Sequence, residues 1–189
     1  THSLYIDGGN ESTRYGLDLQ YANEDGVMKG SFRDRVGAGF FFQYMYKTLS
    51  IKNNISFQLM KSQESPYGNF SDYTKQLPYQ AYKDEDGKYL KTLNTFGETK
   101  IGGGYNPLYE AGLENFNKSS SEEWINNLSI NWNILPSLLL KGQVSLTRST
   151  SESRSFLDPL SQKNGERLSL NNLESGELNI SNGKMFTYD

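Results

Sequence analysis

Few side chains in this sequence stand in patterns that make or break bonds. His2 is the single histidine, so no Ser-His-Asp relay can be assembled, and the absence of cysteine removes thiolate nucleophiles, thiolate metal sites and disulfides. Asp84-Glu85-Asp86-Gly87-Lys88 starts like a calcium loop, with spaced carboxylates ahead of a glycine, but the later Glu ligand is missing; a β-turn between Tyr82 and Tyr89 accounts for it better. Glu122-Glu123 and the pair Asp84 and Asp86 offer two carboxylates each, as a glycosidase would need, yet both are expected in polar loops with nothing evident to raise one pKa. Gly102-Gly103-Gly104 has neither the Lys-Ser/Thr nor the helix that must follow a phosphate loop. The expectation is a protein that is not an enzyme and holds no metal or cofactor.

Recognition chemistry is better represented. Residues 61–121 carry Tyr67, Tyr73, Tyr79, Tyr82, Tyr105 and Tyr109, with Phe70, Tyr89 and Phe96 among them. An aromatic face is apolar while the tyrosine hydroxyl is polar, which suits stacking on a sugar ring or contact with a protein partner; packing within the loop is the competing reading. Flexible linkers are poor in aromatics, so this long segment is expected to be folded.

The elements that must carry these loops are strands. From 36 to 46, Val36, Ala38, Phe40, Phe42, Tyr44 and Tyr46 fall on one face and Gly37, Gly39, Phe41, Gln43 and Met45 on the other. Lys47-Thr48 turns the chain, and 49–60 repeats the pattern with Leu49, Ile51, Asn53, Ile55, Phe57 and Leu59 against Ser50, Lys52, Asn54, Ser56, Gln58 and Met60. Further strands are read at 3–7, 15–22, 124–134, 138–148 and, more weakly, 177–188, where Asn182-Gly183 is a turn signal. Long loops fall at 61–121 and 149–175. Each arm of the 36–60 hairpin is about twice the usual strand length, and tilted near 45° it rises about 25 Å, the height of the apolar band of an outer-membrane barrel.

Composition narrows the classes. A net charge of -3 leaves no basic footprint for nucleic acid. A mean hydropathy of -0.70 excludes helical membrane spans, but barrels escape that test because only alternate residues face lipid. No basic segment followed by an apolar core opens the chain, and both ends look cut, so it reads as a piece of something longer.

Short turns at 8–13, 47–48 and 135–137 alternate with longer connections at 23–32, 61–121 and 149–175. All short turns therefore lie at one end of the sheet, as in outer-membrane barrels, and Tyr44, Tyr46 and Trp132 sit at that end as an interfacial girdle would. The expected fold is all-β, an antiparallel transmembrane β-barrel segment. Leu17, Leu19, Phe40, Phe42, Ile55, Phe57, Leu128, Ile130, Leu140 and Val144 are expected to face lipid. Asp18, Gln20, Gln43, Lys52, Gln58, Asn131, Lys141 and Gln143 are expected to face the lumen. A soluble β-sandwich that binds carbohydrate also alternates apolar with polar residues and stays open as the other reading.

Two runs carry a family resemblance: Ser3-Leu4-Tyr5-Ile6-Asp7-Gly8-Gly9-Asn10-Glu11-Ser12-Thr13-Arg14-Tyr15, and Tyr21-Ala22-Asn23-Glu24-Asp25-Gly26-Val27-Met28-Lys29-Gly30-Ser31. They resemble the barrel of SusC/RagA-type TonB-dependent outer-membrane transporters of the Bacteroidetes, and Asn106-Pro107-Leu108-Tyr109 and the run 124–142 are similar to later parts of it. Arg33-Asp34-Arg35 departs from the acidic-aromatic wording of that family. The resemblance implies a barrel of about 22 strands with a plugged lumen, of which this chain supplies six or seven. It also implies a Gram-negative outer-membrane location, import of oligosaccharides or peptides, a SusD-like surface lipoprotein as lid, and TonB acting through a plug that is absent here.

Overall fold

The computed structural model describes residues 1–74, 76–93, 106–164 and 176–189. It is an all-β chain whose strands form one seven-stranded antiparallel sheet in sequence order, open at both edges. The strands are β1 (His2–Gly9), β2 (Thr13–Asp25), β3 (Phe32–Tyr46), β4 (Leu49–Gln63), β5 (Phe116–Leu135), β6 (Leu138–Leu157) and β7 (Glu177–Tyr188). Two short helices, α1 (Phe70–Thr74) and α2 (Pro107–Glu110), lie in the β4–β5 connection.

Pairing without slippage across β1–β4 puts the alternating residues into continuous rows. Ile6, Leu17, Phe40 and Ile55 are successive partners, as are Leu4, Leu19, Ala38, Phe57 and Trp124. Leu128 faces Val144 and Trp132 faces Leu140 on the same side. All of the apolar set named from the sequence thus shares one face, reinforced by the Phe57 and Trp124 rings at 4.5 Å. A one-residue slip would move every member to the other side, so register here is set by the pattern itself.

Nothing among the described residues covers that face. Leu4, Ile6, Leu140 and Val144 are about half exposed, and the buried large hydrophobic among the described residues is Leu93, out in the β4–β5 connection. A one-layer sheet lacking an apolar core does not bury enough surface to offset chain entropy in water, so this face needs a partner phase or surface.

Every strand but β7, which spans the expected 177–188, outruns its sequence reading. β5 starts at Phe116 rather than at Trp124 and β6 continues to Leu157 rather than to 148, each reaching 20 residues. The cause is physical: beyond Trp124 both faces turn polar, with Ser119, Ser120, Ser121, Glu122 and Glu123 opposite Ser149, Thr150, Ser151, Glu152 and Ser153, so apolar alternation stops while the backbone ladder continues. Ser62 and Ser119 join their hydroxyls at 2.8 Å on this extension. Asn182-Gly183 makes no turn. It pairs in register with Glu152 and Ser151, and β7 runs straight through it.

The connections that remain are residues 10–12, 47–48 and 136–137 at one end, and 26–31, 64–115 and 158–176 at the other. The expected 61–121 and 149–175 loops are accordingly shorter. Lys47, in the two-residue β3–β4 turn, has φ 51°, the left-handed region that such a turn demands.

Candidate functional site

Two regions bring functional side chains together. The first is the wet face of the sheet. Gly37 and Gly39 of β3 pair with Gln20 and Asp18 of β2, and a side chain at Gly39 would collide with the Asp18 carboxylate. The glycines therefore hollow this face, which Gln58 and Ser56 continue on β4 and Glu123 on β5. The result is an open hollow of about 430 Å³ lined by Asp18, Gln20, Glu24, Arg35, Ser56, Gln58, Glu123 and Ile125, among others. Arg35 is ion-paired to Glu24, and Gln20 donates to Asp18 Oδ2 at 3.4 Å. Charge-assisted donors and acceptors side by side can meet hydroxyls or peptide groups from either direction.

Of the wet residues named from the sequence, Asp18, Gln20 and Gln58 meet in this hollow. Gln43, Lys52 and Gln143 share a different row with Ser129, and Asn131 pairs with Lys141 one row further toward the short turns. These lie on the same face but form a separate group.

The second region is the loop assembly at the opposite end. Asn106 caps α2: its Oδ1 accepts from Leu108 N at 3.1 Å, with Pro107 at the first helical position. Its Nδ2 donates to Leu90 O at 2.6 Å and Tyr82 O at 3.2 Å, pinning the hairpin around residues 82–90. Glu110, which ends α2, is buried with 1% exposure, as are Asn106 and Ser161. Its carboxylate accepts from Ser161 Oγ at 2.7 Å, Gln162 N at 2.6 Å and Asn115 Nδ2 at 3.0 Å. Gln162 returns the link by accepting from Asn106 N at 3.0 Å. Asn115 Oδ1 accepts from Asp158 N at 2.8 Å. The β4–β5 and β6–β7 connections are joined through polar groups that satisfy one another, as burial requires.

Against this frame Tyr73 and Tyr82 line an apolar hollow of about 230 Å³ with Leu77, Pro78, Leu93, Pro107 and Leu108. The other expected aromatics do not join them there. Tyr67 lies under the Lys29 ammonium at 5.8 Å, Tyr79 is 68% exposed, Tyr109 is half-buried on α2, and Tyr105 lies outside the described residues. Tyr82 stacks on Tyr89 with ring centroids 6.4 Å apart, and Lys83 Nζ stands 4.9 Å from the Tyr89 ring centre. Asp84 spends its carboxylate on this hairpin, accepting from Lys88 N at 2.8 Å, while Gly87 turns at φ 81°. The run 84–88 is thus a turn.

The sequence reading missed Glu110, Asn115, Asp158, Ser161 and Gln162. Asn106-Pro107, an N-cap followed by proline at N1, is the local signal that would have marked the start of α2 within the expected loop. Nothing local marks Glu110 and Ser161 as partners, since their link spans 51 positions.

No protein-family model matches this chain, and no curated protein matches it.

Proposed function

We propose that the chain is a wall segment of a larger outer-membrane β-barrel, a SusC/RagA-type TonB-dependent importer of oligosaccharides or peptides. In this reading the apolar face meets lipid and the wet face lines the lumen. The loop assembly at residues 64–115 and 158–176 meets substrate or a SusD-like lid lipoprotein. The remaining strands of the barrel pair with the open edges of β1 and β7, and TonB acts through a plug carried elsewhere.

The observation that carries the reading is the row structure of the uncovered face. On β3 it is apolar at every position from Val36 to Tyr46, a rise of about 23 Å for strands tilted near 45°, with Asn53, Asn126, Arg148, Glu122, Thr150 and Lys184 as the polar members of those rows on β4–β7, and one row beyond Val36 and Leu59 it changes to Asn23, Asp34, Lys61, Ser120, Glu152 and Asn182. Tyr44, Tyr46 and Trp132 border the band at the short-turn end, Tyr21 and Trp124 at the other. An apolar belt of bilayer height with aromatic margins is what a lipid-facing wall requires. A sandwich would instead need a second sheet on those residues.

Spin labels at Phe42 and Gln43 of the membrane-assembled protein test this. Phe42 should relax with oxygen and Gln43 with a water-soluble reagent. Shielding of Phe42 from both would place it in a protein core and replace the barrel with a soluble β-sandwich carbohydrate-binding module.

A further inference from the structure

The apolar face has an unequal charge margin. On β1–β3 it carries Asp25 and Asp34 and no lysine or arginine; on β4–β7 it carries Lys61, Lys118, Arg148, Arg154 and Lys184 against Glu122 and Glu152. This local surplus of cations runs against the chain's net charge of -3. The two carboxylates are already engaged: Glu152 pairs with Arg154, and Glu122 accepts from Trp124 Nε1 at 2.8 Å.

We infer that the β4–β6 margin binds the phosphate headgroup of an anionic lipid in the leaflet next to the long loops, an inference that rests on the membrane reading above. Lys61, Lys118 and Arg154 line one hollow of about 250 Å³ together with Gln63, Ser120 and Glu152. Lys61 stands one row beyond the last apolar row at Leu59, and Lys118 and Arg154 stand in the next. At about 3.3 Å per residue and a tilt near 45°, these rows are about 5 and 10 Å above the hydrocarbon edge. That is headgroup height. The acyl chains of such a lipid would lie along Leu59, Phe57, Trp124 and Leu146 while its phosphate meets the exposed Lys61 and Lys118 and the Arg154 guanidinium that Glu152 shares, and Arg148, two rows below Lys61, reaches upward by its long stem. A zwitterionic lipid offers the same chains with an ammonium that these cations repel. Selectivity for the anion follows from charge, and position follows from the apolar rows.

The test uses the membrane-assembled protein, in its whole barrel, reconstituted in phosphatidylcholine vesicles with a minor fraction of spin-labelled phosphatidylglycerol. Wild-type protein should immobilise the labelled phosphatidylglycerol in preference to labelled phosphatidylcholine, and added salt should reduce that preference. Replacing Lys61, Lys118 and Arg154 together by Gln should reduce it by about fivefold for each cation removed, while Lys141→Gln on the opposite face should leave it unchanged. Equal immobilisation of both lipids by wild-type protein, or a preference unaffected by salt, overturns the inference while leaving the lipid-facing wall intact. Failure to immobilise either lipid removes the membrane reading and the inference with it.

Discussion

Ser161 donates its hydroxyl to Glu110 Oε2 at 2.7 Å, and both side chains are 99% withdrawn from solvent, so two connections far apart in sequence share one buried carboxylate. Glu110 also takes the Gln162 and Asn115 donors, and its loss strands all three.

Glu110→Ala should therefore loosen the loops without unzipping the sheet. Hydrogen bonds to a charged acceptor are worth about 1.5–3 kcal/mol each, and orphaned buried donors add to the cost. Hydrogen exchange should accelerate in residues 106–115 and 158–162, while the central β2–β4 amides keep their protection. Equal acceleration in the strands would mean that the loop assembly and sheet open as one unit.

The Phe41 ring lies over Gly16, its direct partner across β2 and β3, and a methyl at Gly16 would run into it. Gly16→Ala should destabilise by about 1–3 kcal/mol through overpacking. Gly142→Ala, where nothing lies within 4 Å, should be neutral or stabilising. Denaturant midpoints of the two variants, compared with the parent, decide this; similar losses at both positions would rule out the ring contact as the cause.

Lys47 holds φ 51° with a side chain that disfavours it. Lys47→Gly should stabilise by about 1 kcal/mol, since the left-handed conformation costs a non-glycine residue roughly 1–2 kcal/mol and glycine loses more freedom on folding. The Lys47 ammonium, 5.3 Å from the Tyr46 ring centre, adds a small opposing contact. A thermal midpoint that fails to rise would show that this contact outweighs the backbone term.

Phe42 sits mid-band beside Tyr15 and Asn53, on the uncovered face. Under the proposed function Phe42→Arg should cost about 2–4 kcal/mol and block membrane assembly. Gln43→Arg, on the neighbouring wet face, should assemble. The readout is the fraction of each variant that resists extraction from outer membranes by urea.

Alternation from Val36 to Leu59 was enough, by itself, to assign two faces, because the side-chain period of a strand is two and one register satisfies every apolar residue. The same property made the short turns and the order of the long connections legible. Two things were not. Strand ends above the apolar band depend on backbone pairing among Ser119–Ser121 and Ser149–Ser153, whose polar side chains carry no periodic signal, and Asn182-Gly183 shows a turn signal yielding to the ladder on β6. The buried polar link among Asn106, Glu110, Ser161 and Gln162 exists only because the sheet returns two distant connections to the same end. Local sequence determined which residues face which way; tertiary structure decided which of them meet, because contact across many tens of residues is set by where the strands deliver the chain.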